Sequence, residues 1–273
     1  MKIQDNIAIV TTVYNWELYK STSRSFPPDM HTYAIDGSKG FYGLRSLLFA
    51  LKKLKHHNYK YLIMVDEDAV FSSIEKLFSL MKYMAANNFV ACGMRDGGAL
   101  KWRNKNPHSI NTFFAVLNLE EIYKVYEPKE VKKNQYVKFG EFLHNLENVQ
   151  YHNYDKNSLF EEYYCFFFWL LRKNKKILYL KAENPFNNET TAVLNHNDET
   201  FLYHAWYSRF YGKNEEHTKR INEMINMAEM NQHNSSPILL KNPSYKLRYL
   251  AYKYYRRFLR KIRLTKAYEG IYH

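Results

Sequence analysis

The sequence predicts an α/β fold in which a parallel sheet carries its binding site at the C-terminal ends of its strands. Three observations predict it. Apolar, β-branched segments alternate with segments of helical periodicity, the order that builds a parallel sheet covered by helices. Each of the first three apolar segments ends in small polar or acidic residues, and in open α/β sheets ligands bind at those ends. The third segment, Tyr61-Leu62-Ile63-Met64-Val65-Asp66-Glu67-Asp68, is apolar as far as Val65, as a strand buried on both faces must be, and then presents three consecutive carboxylates.

Taken in order, Asn6 to Asn15 reads as the first strand and ends in Thr12-Val13-Tyr14-Asn15. The connection from Asn15 to Met30 carries no strong helical pattern. Tyr33-Ala34-Ile35 is a short strand closed by Asp36-Gly37-Ser38, a turn signature. From Arg45 to His57, with Leu44 just before, Leu44, Leu47, Leu48, Leu51 and Leu54 share one helical face. The acidic strand follows, then a helix for which Asp68, Ser72 or Ser73 could serve as cap. Asn88 to Met94 and Asn111 to Leu117 read as further strands, and Leu119 to Tyr126 as a short helix. Between the two strands, Arg95-Asp96-Gly97-Gly98 is a polar loop at a strand end. Glu127 to Asn157 is polar and without periodicity, which fits a loop or small subdomain near an acceptor. Leu159 to Leu171 reads as a helix with Glu161 and Glu162 in its first turn and Arg172-Lys173 in its last, a charge order that suits the helix dipole. A strand at Ile177 to Leu180 follows it.

Three adjacent carboxylates repel one another unless a cation lies among them, and hard divalent ions such as Mg²⁺ or Mn²⁺ prefer oxygen ligands. Asp66 and Asp68 are therefore candidate metal ligands. The plainer alternative is an acidic strand-to-helix turn whose carboxylates only cap.

These segments, in this order, resemble the GT-A glycosyltransferases, and most closely the inverting family 2 group of bacterial surface-polysaccharide enzymes. The matching residues are Thr12-Val13-Tyr14-Asn15, Asp36-Gly37-Ser38 and Asp66-Glu67-Asp68, the last in the place of the Asp-X-Asp motif. The resemblance implies a nucleotide-binding sheet flanked by helices. It further implies that Thr12, Tyr14 and Asn15 line the donor site and that Asp36 contacts base or ribose. Asp66 would touch ribose or sugar, and Asp68 would hold the metal that bridges the diphosphate. In that family a pair of acids before a helix ending in Leu-Arg-Lys supplies the general base; alignment through Leu171-Arg172-Lys173 puts Glu162 on that position and Glu161 beside it. A C-terminal histidine and a cation complete the implied site: His204, with His196 as rival ligand, and Arg209. Asp96 is a candidate for the donor sugar or the acceptor hydroxyl, or an ordinary turn residue.

Composition narrows the class. The 273 residues suffice for one α/β core with an appendage, and 46% hydrophobic with 17% aromatic residues excludes a disordered chain. No run reaches the roughly 18 apolar residues of a membrane span. The first strand begins almost at Met1, which argues against a secretory leader. The only cysteines, Cys92 and Cys165, lie in apolar settings and read as reduced core residues of a cytoplasmic protein. The net charge of +13 is uneven: between Lys241 and His273 ten Lys or Arg face one acid, Glu269, so this tail carries nine of the thirteen charges. Leu247, Leu250, Ala251, Tyr254, Phe258 and Ile262 recur there at helical spacing after Pro243-Ser244, giving a basic amphipathic helix over 243–266. Such a helix suits the inner face of an anionic membrane. Packing on the catalytic domain or homodimerisation would also hide its apolar side, and nucleic acid is the least favoured partner.

The expected organisation is a catalytic domain over 1–212, with a nucleotide-sugar half to about 100 and an acceptor half beyond it, and a basic helical region over 213–273. The expected function is transfer of a sugar from a nucleotide-sugar donor, UDP-linked, to a hydroxyl of a glycan or lipid-linked glycan, with Mn²⁺ or Mg²⁺ as cofactor. The alternative is a non-catalytic basic α/β module for a membrane surface or nucleic acid.

Overall fold

The computed structural model describes residues 6–96, 99–100, 103, 105–146, 154–230 and 236–261. Its chain order begins β1 (Ile7–Val13), α1 (Trp16–Thr22), β2 (His31–Asp36), α2 (Leu44–Leu54), β3 (Tyr61–Val65), β4 (Ala69–Phe71) and α3 (Ile74–Ala86). It continues β5 (Ala91–Arg95), β6 (Ile110–Asn118), α4 (Leu119–Tyr123), α5 (Pro128–Lys132), α6 (Tyr164–Arg172), β7 (Ile177–Leu180) and β8 (Ala182–Glu183). The remainder is β9 (Thr191–Leu194), β10 (Thr200–His204), α7 (Glu215–Ile225), β11 (Ile238–Leu239) and α8 (Pro243–Lys261). Two compact units result, Met1–Leu239 and Leu240–His273.

The first unit is mixed α/β with a mostly parallel seven-stranded sheet in the order β11-β2-β1-β3-β6-β5-β7. β3 lies at its centre, and all five of its side chains are buried, which is why its sequence is apolar without alternation. The parallel sheet expected from the sequence is present, and within it β6 runs antiparallel to both β3 and β5. The connection fits this: among the described residues no α-helix lies between β5 and β6, and an antiparallel return needs no crossover helix. The chain from α4 to α6 then supplies a crossover, and β7 pairs parallel to β5.

A second, four-stranded antiparallel sheet in the order β4-β10-β9-β8 was not legible as strands in the sequence. Its members are only two to five residues long. It matters because β4 follows the acidic turn directly, and the register sets Ala69 opposite His204.

Two local differences have simple causes. The connection after β1 contains the two-turn helix α1, started by the Asn15 side chain accepting from the N–H groups of Glu17 and Leu18. Helix α6 starts at Tyr164, so Glu161 and Glu162 stand in the turn before it rather than in its first turn. Residues Tyr164 to Leu170 are almost wholly buried, while Glu161 and Glu162 stand outside that packed segment. Cys92 and Cys165 are buried and unpaired with each other, as expected of core thiols.

Gly93 in β5 is set by close packing. A Cβ there would lie 2.4 Å from Ile110 Cγ2 and 2.6 Å from the Phe114 carbonyl oxygen, which is backbone and cannot move aside cheaply. Gly93→Ala should cost at least ~1–3 kcal/mol by overpacking; urea unfolding checks this, and an unchanged midpoint would contradict the packing.

Helix α7 and strand β11 belong to the first unit, where α7 buries Ile221 and Met224 against Leu18, Val70 and Ala205, and β11 pairs with the edge of β2. The second unit contains α8, whose described side chains are exposed or half-buried. Residues 262–266 of the expected tail helix lie outside the described residues. Among the described residues no helix is long and apolar enough to cross a membrane.

Candidate metal centre and active site

At the C-terminal end of β3 the chain turns through Asp66, Glu67 and Asp68 into β4, and the β4–β10 pairing delivers His204 to the same point. The Ala205 N–H donates to the Asp68 carbonyl at 2.9 Å, closing the junction. Donor atoms of Asp66, Asp68 and His204 all lie within 4.8 Å of one another. His204 Nε2 is 3.0 Å from Asp68 Oδ1, and the Ser208 N–H donates to Asp68 Oδ2 at 3.1 Å. The imidazole stacks on Phe113 with ring centres 4.0 Å apart, and its buried Nδ1 has no hydrogen-bond partner among the described residues.

The electrostatics match a cation site. Burial, then Asp68 and Glu67, push Asp66 well above the usual carboxylate range. Burial also acts on Asp68, but the adjacent His204 and the Ser208 N–H outweigh it and hold its carboxyl low. Two carboxylates and one imidazole in this anionic turn suit a divalent cation, and such an ion would offset the carboxylate repulsion that adds to burial in raising Asp66. Glu67 is not in the cluster. It is 4% exposed and accepts the N–H groups of Tyr14 and Asn15 at 3.2 and 3.3 Å, tying the end of β1 to the acidic turn. Burial and Asp68 raise it to about 7.

The cluster opens on a cleft of about 530 Å³. Of the residues singled out in the sequence, Thr12, Tyr14, Asp66, Asp68, Glu161, His204 and Arg209 line it. Asn15, Asp36, Asp96 and Glu162 do not. Asn15 caps α1 and its Nδ2 donates to the Tyr211 carbonyl at 3.4 Å. Asp36 closes its own turn, accepting from the N–H and hydroxyl of Ser38 at 3.0 and 2.6 Å. Asp96 is fully buried; it accepts from Asn111 Nδ2 at 2.5 Å and from the Tyr164 hydroxyl, and Arg103 lies 3.6 Å away. Gly97 and Gly98 beside it lie outside the described residues. His196 stacks on Tyr83 at 4.3 Å and is not part of the ligand cluster.

The two acids before α6 diverge. Glu162 is 65% exposed and sits 3.7 Å from Arg45. Glu161 lines the cleft; burial first, and the neighbouring Asp96 second, raise it to about 7 against the opposing pull of Arg103 and Lys105. Arg103 is 4.0 Å from Glu161 and lies over the Trp206 ring at 4.5 Å. Arg209 lies 5.5 Å from the rings of both Tyr14 and Tyr42 at the mouth of the cleft.

Tyr42, Arg103, Asn111, Tyr163 and Trp206 also line the cleft and were not foreseen. Trp206, two residues after His204, and Tyr163, directly after Glu162, adjoin segments the sequence singles out. Trp206 and Tyr207 both adopt left-handed backbone, with φ of 59° and 61°, a strain of order 1–3 kcal/mol each for bulky side chains. Trp206 Nε1 donates to Thr191 Oγ1 at 2.9 Å, and Arg220 holds the Ala205 carbonyl, which fixes the loop carrying His204.

No protein-family model matches the sequence, and no curated protein is significantly similar to it. Among solved structures, the chain is similar to a mannosyltransferase from Pyrobaculum calidifontis described in complex with GDP-Man and Mn²⁺ (13% identity over 44% of this chain and 46% of that one, TM-score 0.33). It is also similar to the glycosyltransferase GlyE of Streptococcus pneumoniae TIGR4 (12% identity, 63% of this chain and 44% of that one, TM-score 0.34). A third is mouse xyloside xylosyltransferase 1 (9% identity, 64% and 84%, TM-score 0.36). The chain spans less than half the length of the first two. These overlaps are partial, and it is the site's own geometry that bears on function.

Proposed function

We propose that the chain is a metal-dependent glycosyltransferase of the GT-A kind. It moves a sugar from a nucleotide-sugar donor, UDP-linked, to a hydroxyl of a glycan or lipid-linked glycan, with inversion. The observation that carries this reading is the cluster of half-buried Asp66 with buried Asp68 and His204 at the C-terminal end of the central strand, opening on a cleft shared with Glu161 and Arg209.

Asp66, Asp68 and His204 would hold Mn²⁺ or Mg²⁺, which when bound offsets negative charge on the donor diphosphate. Arg209 supplies a positive group at the cleft mouth for the same charge, and the exposed rings of Tyr14 and Tyr42 flank it. Glu161 takes the proton of the acceptor hydroxyl as the new bond forms. A carboxyl raised to about 7 is matched to that task, because it is basic enough to accept a proton and about half of it is ionised at neutral pH. Glu162 is turned out to Arg45, so Glu161 is the base assigned to the in-line displacement, and inversion is what the resemblance to the family 2 group implies. A non-catalytic basic module would account for α8 but leaves the cluster and the tuned acid without a role.

Thermal unfolding with nucleotide sugars, each with and without Mn²⁺, tests the reading. One donor should raise the melting temperature by roughly 5–10 °C at about a hundredfold its Kd, and only when the metal is present. Metal-independent shifts, or none with any donor, would count against it.

A further inference from the structure

We propose that α8 is a docking face for an anionic phospholipid surface. This rests on the helix alone and holds whether or not the first unit transfers sugars. Its 19 residues contain seven Lys or Arg and no acid. Leu247, Tyr254 and Phe258 fall seven and four residues apart, on one side of the helix, and are 69%, 65% and 59% exposed. Ala251 continues this stripe and is exposed too, while Leu250 at its edge is half-buried. Lys246, Lys253 and Arg257 repeat the same spacing one residue earlier, so a row of exposed cations runs alongside the apolar row.

Each candidate occupant must account for both rows. A helix packed in a protein core hides its apolar stripe, and this one does not. A nucleic acid would use the cations but offers no place for Leu247 and Phe258. A bilayer interface takes both at once, with the apolar row at the acyl boundary and the cations among anionic headgroups. Exposed Tyr252, Tyr254 and Tyr255 fit the same setting, since tyrosine rings settle at the headgroup level. The helix lies on the surface rather than through it, because it is not apolar enough to span.

The test is co-sedimentation of the full chain with phosphatidylcholine vesicles, with and without phosphatidylglycerol, at fixed salt. Binding is expected only with phosphatidylglycerol. The triple variant Lys246→Glu, Lys253→Glu, Arg257→Glu should weaken it more than about a hundredfold, at roughly fivefold for each cation lost. The pair Leu247→Ser, Phe258→Ser should also weaken it, with the charge unchanged. All five positions are exposed, so both variants should keep the wild-type melting temperature. Failure of the wild type to bind anionic vesicles overturns the proposal, as does binding indifferent to the apolar pair. Duplex DNA binding without vesicle binding, or a dimer abolished by Leu247→Ser, Phe258→Ser without vesicle binding, overturns it as well.

Discussion

Asp68→Asn should remove divalent-cation binding and lower sugar transfer by roughly a thousandfold or more. The size follows from what a cation contributes to charge developing on a diphosphate, several kcal/mol, with each 1.4 kcal/mol a factor of ten. Asn is the informative replacement because it keeps the shape. Its amide oxygen can still accept the Ser208 N–H, and its NH₂ can face His204, so the loop that carries His204 and Trp206 has reason to stay in place. What is lost is the anionic ligand. Transfer assays at saturating Mn²⁺ give the answer: turnover within a few-fold of wild type would show that the acidic turn is not a metal site.

Glu161→Gln should lower kcat by about 10²–10⁴-fold while leaving donor and Mn²⁺ affinity close to wild type. The contrast with its neighbour is the sharper half of the expectation. Glu162 is 65% exposed beside Arg45, and such a surface pair contributes ~0–1 kcal/mol, so Glu162→Gln should remain near wild-type activity. The pH dependence carries the sign. Glu161 is raised to about 7, so below that pH it is mostly protonated and cannot accept a proton. Activity should therefore rise with pH through about 7 in the wild type, and this limb should be missing from the residual activity of Glu161→Gln. Equal losses in both variants, or an unaltered limb, would reassign the base.

Much of this site was legible because the decisive residues are local in sequence. Tyr61 to Asp68 announces a doubly buried strand and its acidic end within eight residues, and His204 with Arg209 sits in one short segment. Ambiguity between Glu161 and Glu162 could not be resolved from spacing, because it depends on where α6 begins. That start is set by burial of Tyr164 and the residues after it, a tertiary fact. Asp36 and Asp96 were donor-site or acceptor-site candidates by position; outside the cleft lining, Asp36 accepts from Ser38 and Asp96 from Asn111 and Tyr164. Tyr42 and Arg103 reach the cleft from separate segments with no motif around them, and only folding brings them together. The second sheet escaped for a related reason, since strands of two to five residues leave too few positions for a period to show.

Electron paramagnetic resonance of Mn²⁺ titrated into the metal-free protein is the most direct measurement. One bound ion per chain is expected for the wild type, with that signal lost in Asp68→Asn and weakened in His204→Ala. No tight Mn²⁺ binding by the wild type, or equal binding by all three proteins, would contradict a metal centre at the end of β3.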